Sequence, residues 1–568
     1  MKLIRKLRWQ ILIIVLALVV IGFVLWGQQA EPVLVEAPEP TSGGLYTEGI
    51  VGSLIRLNPL LAEFNPPDQD PVSLLFRGLI RFDSTGLPQP DLSSAWGISA
   101  DGDVYNFSLR PDVFWHDGEP VTSADVVFTV NLLKDPEFPV PEDLAEFWEE
   151  IEIVSLDERN FQFRLPEAYS PFLGYLDFGI LPAHLLGDLS PTEIVDAPFN
   201  LQPVGTGPFQ FDRLIVEDDQ ITGVILKQNP DFFGQQAYLD QVAFKYFPDS
   251  HTVWEAYQAG EIQGIGEISD DILADALADE NLRFYTSRLP EMTLVLLNLN
   301  NPELPFLREV DLRKALLQGI NRQYLVDHLN QGQAIIADGP VFPKTWAYYE
   351  NLPRYEYDPE FAIEILKDLG YTFPSEGVTA RENEDGDRLE MELIYPESGI
   401  HAQIARAIQE NWTTLGFKIT LRSLPYEELM DRLESREYEA ALVDINLTGM
   451  PDPDPYPFWH QTQATNGQNY STWNDRRASE YLEQGRLVLD LGERARLYKN
   501  FQVRFHDQLP ALPLYYPVYS YGVAAEVKGV RIGPIFKASD RLNTITDWYI
   551  FVEVPGGLEP TNDKSAGE

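Results

Sequence analysis

No cysteine occurs among the 568 residues, and basic side chains are scarce. The first absence excludes thiolate catalysis, cysteine-based zinc or iron–sulfur sites and disulfide stapling. It also excludes the lipid-carrying cysteine by which many bacterial surface proteins are tethered. The second leaves 42 Lys and Arg against 88 Asp and Glu, a net charge of −46. Such a surface repels nucleic acid, whose phosphates need clustered cations. The excess acid is read as serving solubility rather than one cationic ligand. The seven histidines (116, 184, 251, 328, 401, 460, 506) are scattered, with no pair at i+3 or i+4 to suggest a metal helix. There is no phosphate-loop motif, no G-x-S-x-G elbow, no H-E-x-x-H helix, no internal repeat and no low-complexity block. Catalytic, metal and cofactor sites are all expected to be absent.

What is present is a long, foldable chain. Hydrophobic residues make up 44% and aromatics 12%, enough to bury sizeable cores, and the length calls for two or more lobes. At the N-terminus, Lys2, Arg5, Lys6 and Arg8 precede an uncharged run from Ile11 to Trp26. As a helix this run spans about 24 Å, slightly short of a ~30 Å hydrocarbon layer. Trp9 and Trp26 bracket it at interfacial positions, and the basic flank fixes the cytoplasmic side. Residues 1–26 are therefore read as an uncleaved anchor that puts the rest of the chain outside. A cleavable signal is the competing reading, with Gln28 where a small residue is wanted before a cut after Ala30. Residues 27–43 read as a tether and 553–568 as a disordered tail.

Strands and helices interleave between. "YNFSLR", "NFQFRL", "GVILKQ", "QVAFKYF" and "TLVLLNLN" have the composition of strands. "SADVVFTVNLL" predicts a helix capped by Ser123. "DLRKALLQGINRQYLVDHL" predicts one long amphipathic helix, and Gly370 and Gly416 read as helix stops. The late helix-then-strand units favour an open, largely parallel sheet with ligands beyond the strand ends. "RENEDGDRLEME" (381–392) imitates a calcium loop, but Arg381 stands where the first acidic ligand belongs, so "NEDGD" is read as a hairpin turn.

One stretch stands out: "PDPDPYPFW" (451–459) alternates prolines with Asp452 and Asp454 and runs into Tyr456, Phe458 and Trp459. The two carboxylates are i,i+2 on one stiff segment, the wrong disposition for an acid–base pair acting across a bond. A preorganised cleft wall suits it better, because proline lowers the entropy lost on fixing a ligand.

Five segments, in order and at the right spacing, resemble the extracytoplasmic solute-binding proteins of ABC importers, in the family that handles oligopeptides, dipeptides, nickel and some oligosaccharides. They are residues 76–133, "PVGTGPFQF" (203–211), 229–262, 296–326 and "LPLYYP" (512–517). The resemblance covers about Gly43 to Tyr549. It implies an α/β, periplasmic-binding-protein-like two-lobed clamp with an additional subdomain in the first lobe. Lobe I would take 44–298, with the subdomain near 77–205, and regain the chain at 516–552; lobe II would take 299–515. Crossovers are expected near "LLNLNN" and "LPLYYP". A small solute, peptide or oligosaccharide, would shift an open–closed equilibrium by its differential affinity, about 5.5 kcal/mol for a full swing. Permease and ATPase subunits would be separate chains, and the binding protein a monomer.

The same resemblance nominates site residues. The first strand of lobe I, "LYTEGIVG", offers Thr47, Glu48 and Gly49. The 451–459 stretch would face it, but Pro451 stands where peptide-binding relatives often carry an ammonium-pairing aspartate, leaving Asp452 one residue late. Asp454, Tyr456, Trp459, Asn469, Tyr470 and Trp473 complete that wall, and Tyr515 and Tyr516 line the hinge floor. Two alternatives stand beside a peptide binder: an oligosaccharide binder, and an extracytoplasmic hydrolase using Asp452 or Asp454 with Glu48. A ligand sensor for a membrane receptor is a third.

Overall fold

Fourteen residues, Ala511–Ala524, form the strand around which the molecule is organised. The computed structural model describes residues 42–551. The anchor, the first part of the tether and the tail lie outside them. In chain order, β1 is Leu45–Val51, followed by two short strands, β2 (Ile80–Phe82) and β3 (Pro88–Pro90). β4 (Ser93–Ile98), β5 (Val104–Leu109), β6 (Glu152–Ser155) and β7 (Asn160–Arg164) form a separate antiparallel sheet in the order β4-β5-β7-β6. β8 (Phe209–Glu217), β9 (Gln220–Gln228), β10 (Gln241–Phe247), β11 (Gly264–Ile265) and β12 (Leu282–Arg288) lead to β13 (Glu291–Leu297) and β14 (Ala334–Ile336). β15 (Glu390–Pro396), β16 (Lys418–Leu424), β17 (Ala440–Asn446) and β18 (Ala511–Ala524) complete the set.

β18 belongs to two sheets. Its first half, Ala511–Pro517, pairs antiparallel with β13 and β14, and through β13 with β17, β15 and β16. Its second half, Val518–Ala524, pairs with β12 and β11, and through β11 with β1, β10, β9 and β8. The chain passes between the sheets at Leu289–Pro290, between β12 and β13, and returns at Pro517–Val518. Parallel pairs occur (β1 with β10 and β11, β15 with β16 and β17). The remaining ladders are antiparallel, so the expected largely parallel sheet is a mixed one.

Alternation explains the packing. On β13, Met292, Leu294 and Leu296 enter one core of the second lobe, and Val295 and Leu297 enter the other. A strand covered on both faces needs this continuous apolar run. The four-stranded sheet of the first lobe packs Phe107, Phe161, Phe163, Trp148 and Phe172 edge-to-face and offset.

Gly416 closes the helix Gly399–Leu415 with φ +95°, and Gly370 has φ +88° just beyond the helix Pro359–Asp368, both as expected of stops. The expected long helix over 311–329 is broken. It runs from Val310 to Gln318, then restarts at Arg322 with Asn321 accepting from the Tyr324 N–H. Gly319 keeps helical dihedrals and admits Leu415, from which a Cβ there would stand 2.4 Å; the break comes at Asn321, whose ψ of 77° leaves the helical region as its side chain caps the next turn. The cap of the helix Ser123–Leu133 is Thr122, reciprocated by Asp125, one residue before the expected Ser123. "NEDGD" is the turn it was read as, with Gly386 at φ +87°.

Candidate functional site

β1 obeys strict alternation, which separates the three residues nominated on it. Tyr46 and Glu48 share one face. Tyr46 and Tyr521 both donate to Glu48 Oε2, at 2.6 and 2.7 Å, and Arg541 donates through Nε to Oε1 at 3.0 Å. The same guanidinium reaches Asp70, with Nη1 to Oδ1 at 2.6 Å. Glu48 and Arg541 are 0% and 1% exposed, so this cluster is the interior of the first lobe. Thr47 and Gly49 face the other way. Thr47 is buried, with its N–H on Gln263, and a Cβ at Gly49 would meet Ile262 at 2.6 Å and Val253 at 3.0 Å. Glu48 thus has its carboxylate committed within the lobe, and Gly49 has no side chain to offer.

The 451–473 stretch is stiff, as its prolines predict, but its carboxylates point inward. Asp452 takes both arms of Arg494, at 2.8 and 3.0 Å. Burial works against the Arg494 charge, and Asp452 with Tyr498 more than offsets it, raising the guanidinium well above its usual range. Asp454 accepts from Arg486 Nε at 2.7 Å, and that guanidinium lies 3.7 Å above the Tyr456 ring. Tyr456 stacks in turn on His460 at 4.1 Å. Trp459 and Trp473 are buried against Phe505. Asn469 spends its amide on His460 O and Trp473 O. Tyr470 lies under Arg436, and Tyr516 is buried with its hydroxyl on Gly339 O. The stacking wall expected here is therefore the packing of the second lobe.

Polar groups missed by sequence reasoning gather at the seam instead. On β13, Glu291 and Thr293 share a face, and Thr293 stands in register between Asp444 on β17 and Tyr515 on β18. Thr293 donates to Asp444 Oδ1 at 2.6 Å, and His401 Nε2 lies 2.9 Å from Oδ2. His401 belongs to the helix covering this face and is fixed by Ser398 through Nδ1 at 3.0 Å. Of the nominated residues only Tyr515 backs this group, with burial pushing its phenol up to about 12. Glu291 opens β13, two residues after the crossing at Leu289. Burial pushes its carboxyl up to about 7, Asp444 adding to the effect, His401 opposing it, and Glu267 of the first lobe adding again. No sequence signal marks this set, because Glu291 and Thr293 are far in the chain from His401, Asp444 and Tyr515, and only strand register and helix packing join them. Among the described residues no group of three or more His, Asp or Glu is placed to hold a metal ion.

This arrangement has a pH signature. A glutamate whose pKa in the folded protein exceeds its ordinary 4.5 binds more protons folded than unfolded between 4.5 and about 7. Its stabilising contribution is full below pH 4.5 and is lost as pH rises through about 7. Melting temperature followed over that window is expected to carry a falling component that Glu291→Gln removes. An unchanged profile in the variant would count against the assignment.

A model of bacterial extracellular solute-binding proteins, family 5 (middle), matches residues 88–468. A dipeptide-binding protein of Escherichia coli is 26% identical over 467 residues, covering 79% of this chain and 84% of the relative. The oligopeptide-binding protein AppA of Bacillus subtilis is 22% identical over 520 residues, 90% of this chain and 93% of the relative. Among solved structures, HbpA2 of Haemophilus parasuis superposes with TM-score 0.77 at 22% identity, covering 90% of this chain and all of that one. NikZ of Campylobacter jejuni, solved with Ni(L-His), does so with TM-score 0.67 at 24% identity, covering 89% and 99%.

Proposed function

This chain belongs to the bacterial extracellular solute-binding proteins of family 5, and from that premise we propose that it captures a peptide or similar small solute by hinge closure and delivers it to a separate ABC permease. The observation that carries the reading is the divided sheet. Among the described residues, two lobes with their own cores share one strand and exchange the chain only at Leu289–Pro290 and Pro517–Val518. A double crossing beside a single shared strand is the arrangement a hinge needs. On this reading the first crossing precedes β13 rather than lying near "LLNLNN", so lobe I comprises 44–288 and 518–551 and lobe II 291–517, in place of the expected 44–298 with 516–552 and 299–515. The solute lies along the seam, where Glu267, Glu291 and Asp444 offer counter-charge to an ammonium group.

The chain works as a monomer outside the cytoplasm, held at the membrane by residues 1–26, which lie outside the described residues. No helix among the described residues is long and apolar enough to cross a membrane. The family is one of binding proteins, and the carboxylates of the hydrolase reading, Glu48, Asp452 and Asp454, each pair with an arginine. That geometry favours capture over turnover.

Melting of the protein against di- to pentapeptides, oligosaccharides and divalent metals tests the proposal. A true solute at 100 times its Kd adds about 2.7 kcal/mol. Stabilisation by peptides supports the reading, and stabilisation by sugars alone would replace it with carbohydrate capture. Silence from the whole panel would sink it.

A further inference from the structure

Besides the two chain crossings, the lobes meet at a third place. The short 3-10 helix Ser170–Leu176 of the additional subdomain lies in a notch of the second lobe. The notch is formed by the 451–455 segment and the end of the helix Arg476–Leu487. Ser170 Oγ donates to Val488 O at 2.6 Å. The Arg486 guanidinium lies between two rings, Tyr456 of its own lobe at 3.7 Å and Tyr169 of the subdomain at 5.5 Å. Gly174 comes so close that a Cβ there would stand 3.2 Å from Asp452 Cβ. Beside this contact the Trp346 N–H donates to Thr85 O at 3.0 Å, and Leu489 meets the Gly102 turn.

The charges at this surface are already matched within the second lobe, Asp452 by Arg494 and Asp454 by Arg486. Separating the lobes here would break the Ser170–Val488 bond, the neighbouring backbone bonds from Trp346 to Thr85 O and from Gly449 to Phe536 O (2.8 Å), and one face of an arginine–ring stack, without stranding an ion. A contact of that kind can open and close repeatedly, whereas a salt bridge across the gap would strand buried charge each time it parted. Arg486 is also held in place before the subdomain arrives, since Asp454 and Tyr456 fix its guanidinium plane. The subdomain side is equally set: Tyr105 donates to Tyr169 O at 3.0 Å, and Tyr169 packs on Phe147 and Tyr175. Two preformed surfaces meeting through few bonds make a docking contact rather than a core.

We propose that Tyr169 and Ser170 of the additional subdomain form a latch for the second lobe, engaging Arg486 and the Val488 carbonyl to set the resting angle between the lobes without solute. The absence of cysteine makes the test direct. Spin labels on Glu146→Cys and Asp431→Cys, both exposed and on opposite sides of the contact, report the separation by pulsed electron paramagnetic resonance. In the solute-free protein the account expects one narrow distance distribution. Tyr169→Leu with Ser170→Ala is expected to shift it to longer and broader separations, and Tyr169→Phe, which keeps the ring, to retain it. Should the double variant fail to fold, Arg486→Gln keeps a donor for Asp454 while removing the charge over Tyr169, and the same shift is expected. Unchanged distributions in folded Tyr169→Leu/Ser170→Ala or Arg486→Gln would overturn the latch. The latch is tested without solute, so its failure is distinguishable from a failure of solute binding.

Discussion

Replacing Arg541 by methionine is expected to lower unfolding free energy at neutral pH by about 3–5 kcal/mol, the range for stranding a buried ion's partners. The guanidinium is the only cation within bonding distance of Glu48 and Asp70 among the described residues, and all three are nearly or fully buried. It ties β1, the helix Pro66–Leu75 and the returning C-terminal segment around Ala538–Leu542, to whose Ala538 carbonyl it also donates at 2.9 Å. Without it two carboxylates face each other in a dry site, and their protonation becomes the relief. The loss should therefore shrink as pH falls toward the carboxylate range. The triple change Glu48→Gln, Asp70→Asn, Arg541→Met should recover part of it, because neutral groups carry a smaller desolvation cost. Urea unfolding of single and triple variants at two pH values measures this. A loss below about 1 kcal/mol, within the usual range for exposed pairs, would mean that the cluster is wet and that Glu48 is free to face solute.

The second large effect is expected at Asp452. If that carboxylate anchored a solute's amino group, Asp452→Ala would weaken binding and leave the solute-free protein as stable as before. The geometry predicts the reverse emphasis. Arg494 is buried over Trp346 at 4.8 Å, and Asp452 supplies two of its bonds. Removing the acid strands that charge, at about 3–5 kcal/mol. The solute-free melting transition should fall sharply, and Asp452→Ala with Arg494→Met should fall less than the single variant. A variant that melts normally but loses solute would restore the anchor reading.

Much of the fold was legible because it rests on local pattern. The composition of β5, β7 and β13 announced strands, and Gly416 a helix stop. The helix predicted over 311–329 is interrupted where Asn321 leaves helical geometry and caps the turn that follows. The site was less legible. Period-two alternation already implied that Glu48 and its neighbours Thr47 and Gly49 face opposite ways, but not which face is lined by solvent. The prolines of 451–455 promised a stiff wall. Its aspartates turn inward because Arg486 and Arg494 wait there, 32 and 42 positions along the chain, where no periodicity links them. Glu48 and Arg541 are 493 positions apart. His401 and Asp444 each look like isolated polar residues until strand register and helix packing bring them to Glu291.

The central claim is that two lobes close on a solute about the crossings at Leu289–Pro290 and Pro517–Val518. Small-angle scattering of the protein titrated with a stabilising peptide tests it most directly. The account predicts a radius of gyration that falls saturably, with a midpoint matching that of the stabilisation. Saturable binding with an unchanged radius would contradict it, leaving a preformed pocket in place of a hinge.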